Sequence, residues 1–194
     1  MRIILDLDDV LCDFEGAACR LHGVDPKAMQ EVRTGWDMVP FFQQVTGKHM
    51  DQAGFWAPID RAGETFWATL EAHEWMDELI HLVKSITDDW HIVSSPSLCP
   101  SSYSGKVKWL KRHLGRSFTN FALTPHKHIF SQEGVLLIDD REENVTRFIW
   151  AVEGVESLGG DGLVFPSSGN SLRALRGDPV SHIREMLAKR KESD

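Results

Sequence analysis

Hydrophobic and polar positions follow two rhythms along this chain. Five short runs are apolar almost throughout: Arg2 to Leu7, Trp90 to Ser95, Phe118 to Leu123, Val135 to Ile138 and Gly162 to Phe165. They read as strands, and Ile3, Ile4 and Leu5, too short to span a membrane and too apolar for a solvated loop, as one buried on both faces. Between most of them apolar residues recur at spacings of three and four, over Trp75 to Ile86, Gly105 to Leu114 and Glu142 to Val152, which predicts helices. Asp178 and Pro179 supply a cap and a first helical position for a last helix, which runs into the charged end LAKRKESD. Strand and helix in alternation predict an α/β fold, with a parallel sheet flanked by helices on both sides.

One segment breaks the alternation. The chain from Glu15 to about His73 is far longer than a crossover needs, and a structureless loop of that length does not suit a compact domain. It is expected to form a small helical cap over the strand ends, inserted into a core built from residues 1–14 and 74–194. The segment carries Trp36, Phe41, Phe42, Phe55, Trp56, Phe66 and Trp67. Some of these must form the cap's own core. The others, with Trp36, Phe41, Phe66 and Trp67 as candidates, would line a pocket that closes on a flat ligand. The later stretch FPSSGNS reads as a surface loop.

Composition narrows the class. The chain has 194 residues, 42% hydrophobic and 26% charged, which suits one soluble globular core with room for an insertion. No apolar stretch approaches the roughly 20 residues of a membrane helix, and a cytoplasmic protein is expected. Cys12, Cys19 and Cys99 form no CxxC pair and read as reduced thiols. A net charge of -8 disfavours a nucleic-acid polymer or an anionic membrane as partner. Yet no Asp or Glu occurs from Trp90 to Gln132, where Lys106, Lys108, Lys111, Arg112, Arg116 and Lys127 fall. That bias suits an anionic ligand, although a solvated helix face explains Lys108 to Arg116 equally well.

Ligands of such folds bind beyond the carboxyl ends of the strands. There lie Asp6 to Asp9, Ser94-Ser95, Thr124 to His128 and Asp139-Asp140. Carboxylates ending two buried strands would repel each other unless a cation sits among them. Oxygen ligands without His or Cys point to Mg2+, which accepts a substrate phosphate as partner. His126 and His128 would share one face of a strand, but no third soft ligand is near, so they read as ordinary hydrogen-bonding residues. Asn144 is read as forming a helix-start hydrogen bond, with no catalytic role.

These residues also carry a family resemblance. DLDDVLCDF resembles the first motif of the haloacid dehalogenase-like (HAD) phosphatases, HIVSS the second and LLIDD the fourth, with Lys127 in TPHKHIF placed for the lysine between them. Within that superfamily the chain is similar to the 5′(3′)-deoxyribonucleotidases, through DLDDVLCDFEG, FWATLEAHEWMDELIHLVK, IVSSP, KVKWLKRHLG, LTPHKHIF and LLIDDREEN. The likeness covers roughly residues 1–150. It implies a Rossmann-like HAD core with a cap, and a Mg2+-dependent phosphomonoesterase acting on nucleoside monophosphates.

It further implies Asp6 as nucleophile and Asp8 as general acid and base. Ser94, Ser95, Lys127 and Lys106 would hold the phosphate, with Lys127 preferred as the motif lysine. Mg2+ would be held by Asp6, the Asp8 carbonyl and Asp139, with Asp140 ordering its waters. Asp9 departs from the family, which usually has glycine there. The base, the sugar and the position of the phosphate stay open. The alternatives are another small phosphate ester or a polynucleotide end as substrate, a receiver-like phosphorylatable module, and a catalytically silent binding protein. Cap aromatics left exposed would equally suit a homodimer contact.

Overall fold

The computed structural model describes residues 1–150 and 159–191. Strands β1 (Arg2–Leu5), β2 (Trp90–Ser94), β3 (Phe121–Leu123), β4 (Val135–Asp139) and β5 (Asp161–Val164) form one sheet in the order β3-β2-β1-β4-β5. Every neighbouring pair is parallel, with Leu5 opposite both Ile92 and Ile138. Ile3, Ile4, Leu5, Leu136, Leu137 and Ile138 are almost wholly buried, which explains their unbroken apolar runs. From β1 the chain builds outward through β2 and β3, then returns to β4 on the other side of β1. The loops leaving β1 and β4 therefore part at the point where strand order reverses, where such sheets open a crevice.

Four helices lie between β1 and the helix that leads to β2: α1 (Phe14–Leu21), α2 (Pro26–Val32), α3 (Val39–Thr46) and α4 (Gln52–Ala68). Asp13, Asp25 and Asp51 cap α1, α2 and α4 by accepting from the backbone of Gly16, Lys27 and Gly54. Inside α4, Gly63 takes φ 61 and ψ -142, a break that a residue with a Cβ would resist. The remaining helices are α5 (Met76–Lys84), α6 (Pro100–His113), α7 (Glu142–Trp150) and α8 (Pro179–Lys191). Helix α4 packs on α6 so closely that a Cβ at Gly105 would fall 2.4 Å from the Trp67 Cβ. Gly105 thus lets Trp67 reach the neighbouring Lys106.

Some expectations shift. The Phe118 run extends only from its fourth residue: its first residue closes a turn, the Phe118 N–H donating to Gly115 O, and β3 begins at Phe121. Helix α6 starts five residues early, at Pro100, because the polar run PSSYS hides its period while Ser102 Oγ secures the first turn on Ser97 O and Cys99 O. FPSSGNS is not a surface loop: Phe165, Ser167, Ser168 and Asn170 are buried. Asn170 Nδ2 explains this, donating to Asp140 O and Phe165 O at 2.7 Å each. The last two residues of the expected helix at Glu142 to Val152, and residues 192–194 of the charged end, lie outside the described residues. Among the described residues no helix is long and apolar enough to cross a membrane.

Candidate active site

β1 and β4 deliver their acids side by side. The Asp6 N–H continues the ladder to Ile138 O at 2.9 Å, which sets Asp6 beside Asp139. Lys127, the first residue of the 3₁₀ turn Lys127–Phe130, inserts its buried ammonium between them, 2.6 Å from Asp6 Oδ1 and 2.5 Å from Asp139 Oδ2. Burial opposes that charge, but the Asp139 and Asp6 carboxylates outweigh it and raise the lysine pKa. Asp139 also accepts from the Arg141 N–H and from Asn144.

Among the described residues the Asp140 side chain accepts no such hydrogen bonds, and of the charges around it only Arg33 favours its ionised form. Burial, then the charges of Asp9, Asp139 and Asp6, push its carboxyl well above the usual range. Asp6, Asp139 and Asp140 each offer an oxygen, all within 4.8 Å of one another. Three buried carboxylates around one ammonium leave surplus negative charge, and the all-oxygen donor set fits a hard divalent cation.

A second ion pair stands beside the first. Lys106, wholly buried on α6, contacts the Asp8 carboxylate and donates to Ser94 Oγ at 2.9 Å. Its ammonium lies 4.8 Å from the centroid of the Trp67 ring, a cation–π distance that joins α4 to the strand ends. Cys12 Sγ lies 3.8 Å from Asp8 Oδ1. Burial, then the Asp8 charge, raises the pKa of that thiol, so it stays protonated beneath the carboxylate. The two candidate lysines thus serve different acids, Lys127 on Asp6 and Asp139, Lys106 on Asp8.

Past Asp8 the chain turns through Asp9, whose φ is 57. Asp9 Oδ1 accepts from the Glu15 N–H at 2.8 Å, and Oδ2 lies 4.0 Å from Arg33 Nη1. Arg33 is itself buried. It pairs with Glu15, and donates to Gly35 O at 2.9 Å, Trp36 O at 3.0 Å and Ser168 Oγ at 3.4 Å. Nothing in the local pattern of α2 marks Arg33 out, and sequence reasoning missed it.

These groups border a cleft of about 400 Å³. Asp6, Asp8, Asp9, Asp140 and Ser95 supply polar lining, and Phe14, Trp36, Phe55, Trp56 and Trp67 aromatic lining. Trp36 is half exposed, and the Arg141 guanidinium lies 3.9 Å from its ring centroid. Of the four aromatics expected here, Trp36 and Trp67 reach the cleft. Phe41 and Phe66 do not: Phe66 is buried edge-on to Phe14, and Phe41 packs against the same apolar core.

Phe14, missed because it precedes the cap segment, lines the cleft and stacks on Trp67 at 5.5 Å. His126 and His128 sit at a 3₁₀ turn rather than on a strand, their rings 5.7 Å apart and 80° to each other. A larger depression, of about 550 Å³ by Met1, Gly134 and Asp161, opens at the other end of the sheet and carries none of the strand-end groups.

Residues 1–157 match the model of the family described as 5′ nucleotidase, deoxy (pyrimidine), cytosolic type C protein. No curated protein matches the chain. Among solved structures, a HAD family hydrolase from Deinococcus radiodurans R1, with bound phosphate and sodium, aligns at TM-score 0.58 and 14% identity over 97% of this chain and 95% of its own. A hydrolase from Pseudomonas syringae aligns at 0.54 and 14% identity, covering 96% and 98%. A haloacid dehalogenase-like hydrolase from Bacteroides fragilis aligns at 0.53 and 14%, covering 89% and 91%. At such identity these likenesses speak for the fold, whereas the matched span runs from β1 through α7 and holds all the strand-end acids. The chain therefore belongs to the 5′ nucleotidase, deoxy (pyrimidine), cytosolic type C family, and is a phosphoric monoester hydrolase with the fold of the HAD family hydrolases.

Proposed function

We propose that the protein is a Mg2+-dependent nucleotidase that hydrolyses deoxyribonucleoside monophosphates to nucleoside and phosphate. The observation that carries this reading is the Lys127 ammonium between Asp6 and Asp139 at the base of an aromatic-lined cleft. An Asp6 carboxylate oxygen attacks phosphorus, and the bond to the leaving alkoxide breaks as an aspartyl-phosphate forms. Asp8 gives its proton to the departing oxygen. Asp8 then takes a proton from the water that attacks the same phosphorus, which releases phosphate and restores the Asp6 carboxylate. Lys106 sets the orientation of Asp8 for both transfers.

Ser94, Ser95, Lys127 and Lys106 balance the charge spread over the equatorial oxygens. The Asp6 carboxylate, the Asp8 backbone carbonyl and Asp139 would hold Mg2+, with Asp140 ordering its waters. When bound, the ion neutralises phosphate charge. Residues 15–73 act as the cap, and the half-exposed Trp36, with Phe14 lining the same cleft, offers a face to the base. Such stacking is worth about 1–3 kcal/mol per base and selects for flatness more than for identity.

The test is phosphate release, with Mg2+ or EDTA, across nucleoside 5′- and 3′-monophosphates, sugar phosphates and a 3′-phosphorylated oligonucleotide. Turnover concentrated on deoxynucleoside monophosphates and abolished by EDTA is expected. Turnover concentrated on sugar phosphates or on the oligonucleotide would overturn the substrate, and EDTA-resistant turnover the metal.

A further inference from the structure

Among the described residues Asp9 is the one non-glycine with a left-handed backbone. L-residues resist that conformation, and where it persists at a site it often serves function. The Asp9 N–H, donating to Cys12 O at 2.7 Å, fixes the turn. The two carboxylate oxygens then divide the work. Oδ1 accepts from the Glu15 N–H and anchors the start of α1. Oδ2 accepts no hydrogen bond from the described residues, and the side chain, 13% exposed, lines the cleft.

Arg33 is near but leaves Oδ2 open. It stands 4.0 Å from Oδ2, while its donors are engaged by Glu15, Ser168, Gly35 O and Trp36 O. Asp9 directly follows Asp8, and it shares the cleft with the aromatic rings. A ligand with phosphate at Asp6 and a flat group on those rings places its linker near Asp9. In a nucleotide that linker is a sugar, whose hydroxyl lies a few bonds from the ester oxygen.

We propose that Asp9 is a specificity-determining residue, whose Oδ2 hydrogen-bonds a sugar hydroxyl of the leaving nucleoside. This rests on the nucleotidase reading above. A site that hydrogen-bonds a substrate hydroxyl discriminates against the analogue that lacks it.

The experiment compares kcat/KM for a deoxynucleoside 5′-monophosphate, its 2′,3′-dideoxy counterpart and p-nitrophenyl phosphate, in the full chain and in Asp9→Gly and Asp9→Asn. The wild type should prefer the hydroxyl-bearing over the dideoxy nucleotide by about tenfold. Glycine suits φ 57, and Asp9→Gly should cut that preference to below about threefold. Asp9→Asn keeps the shape and a hydrogen-bonding group there, and should hold the preference within about threefold of wild type.

If nucleotides are turned over but Asp9→Gly leaves that preference unmoved, the role of Asp9 is overturned while the nucleotidase reading stands. If the wild type hydrolyses p-nitrophenyl phosphate and no nucleotide, the nucleotidase reading fails and the inference falls with it.

Discussion

The Asn144 side-chain amide donates to both carboxylate oxygens of Asp139, at 3.1 Å each. With Lys127 on Oδ2 and the Arg141 N–H on Oδ1, it holds Asp139 in one orientation from the turn that opens α7. Partners behind a metal ligand typically contribute about 10–100-fold in affinity. Asn144→Ala is predicted to raise the Mg2+ concentration for half-maximal turnover by about that factor, with kcat at saturating Mg2+ within a few-fold of wild type. A Mg2+ titration of phosphate release decides, and an unmoved midpoint would remove Asp139 from the metal.

Asp6→Asn removes the nucleophile and keeps its shape. Turnover should fall by at least about 10³-fold, while the folded state persists because Lys127 retains Asp139. Circular dichroism and phosphate release on the same preparation test both halves. Activity within tenfold of wild type, with contamination excluded, would assign the attack to another group.

Much of this site is local in the sequence. Asp6, Ser94 and Asp139 each end or directly follow an apolar run, so strand periodicity alone places them at one edge of a parallel sheet. What escaped was tertiary. Asn170 lies in a run of turn-forming residues, and its burial follows from bonds to carbonyls at Asp140 and Phe165 that no local pattern encodes. Arg33 ends an ordinary amphipathic helix, yet its partners Glu15 and Ser168 stand 18 and 135 positions away. Phe66 and Trp67 adjoin in sequence and both belong to the core, and only packing brings Trp67 and not Phe66 to the wall of the cleft.

Arg33 offers a stability test. Burial opposes its charge, but Glu15 and Asp9 more than restore it and raise its pKa. Removing one partner of a buried ion pair strands the other, at a cost of about 3–5 kcal/mol. Arg33→Met should cost about that much by chemical denaturation. The double variant with Glu15→Gln should recover part of the loss, since no buried charge is then abandoned at Glu15. Additive losses in the double variant would deny the pair.

His73 gives the pH dependence a sign. Its ring stacks on Trp75 at 4.2 Å, and its buried Nε2 finds no hydrogen-bond partner among the described residues. Burial lowers its pKa from 6.5 to about 4, against a smaller opposing pull from Asp13. Between those values the unfolded chain holds a proton that the folded chain refuses. The contribution is therefore fully present above pH 6.5 and is lost as the pH falls toward 4. At pH 5 the loss amounts to about 2 kcal/mol.

The raised carboxyls of Asp9, Asp139 and Asp140 act in the opposite sense, since the folded chain there keeps protons that the unfolded chain releases. The wild-type curve thus mixes both effects, and a difference between two proteins isolates the histidine. His73→Gln should lose about 2 kcal/mol less than wild type between pH 7 and pH 5, read from urea unfolding at each pH. Equal losses would mean that the folded protein accommodates a charged imidazole at this position, with Asp13 supplying as much compensation as burial removes.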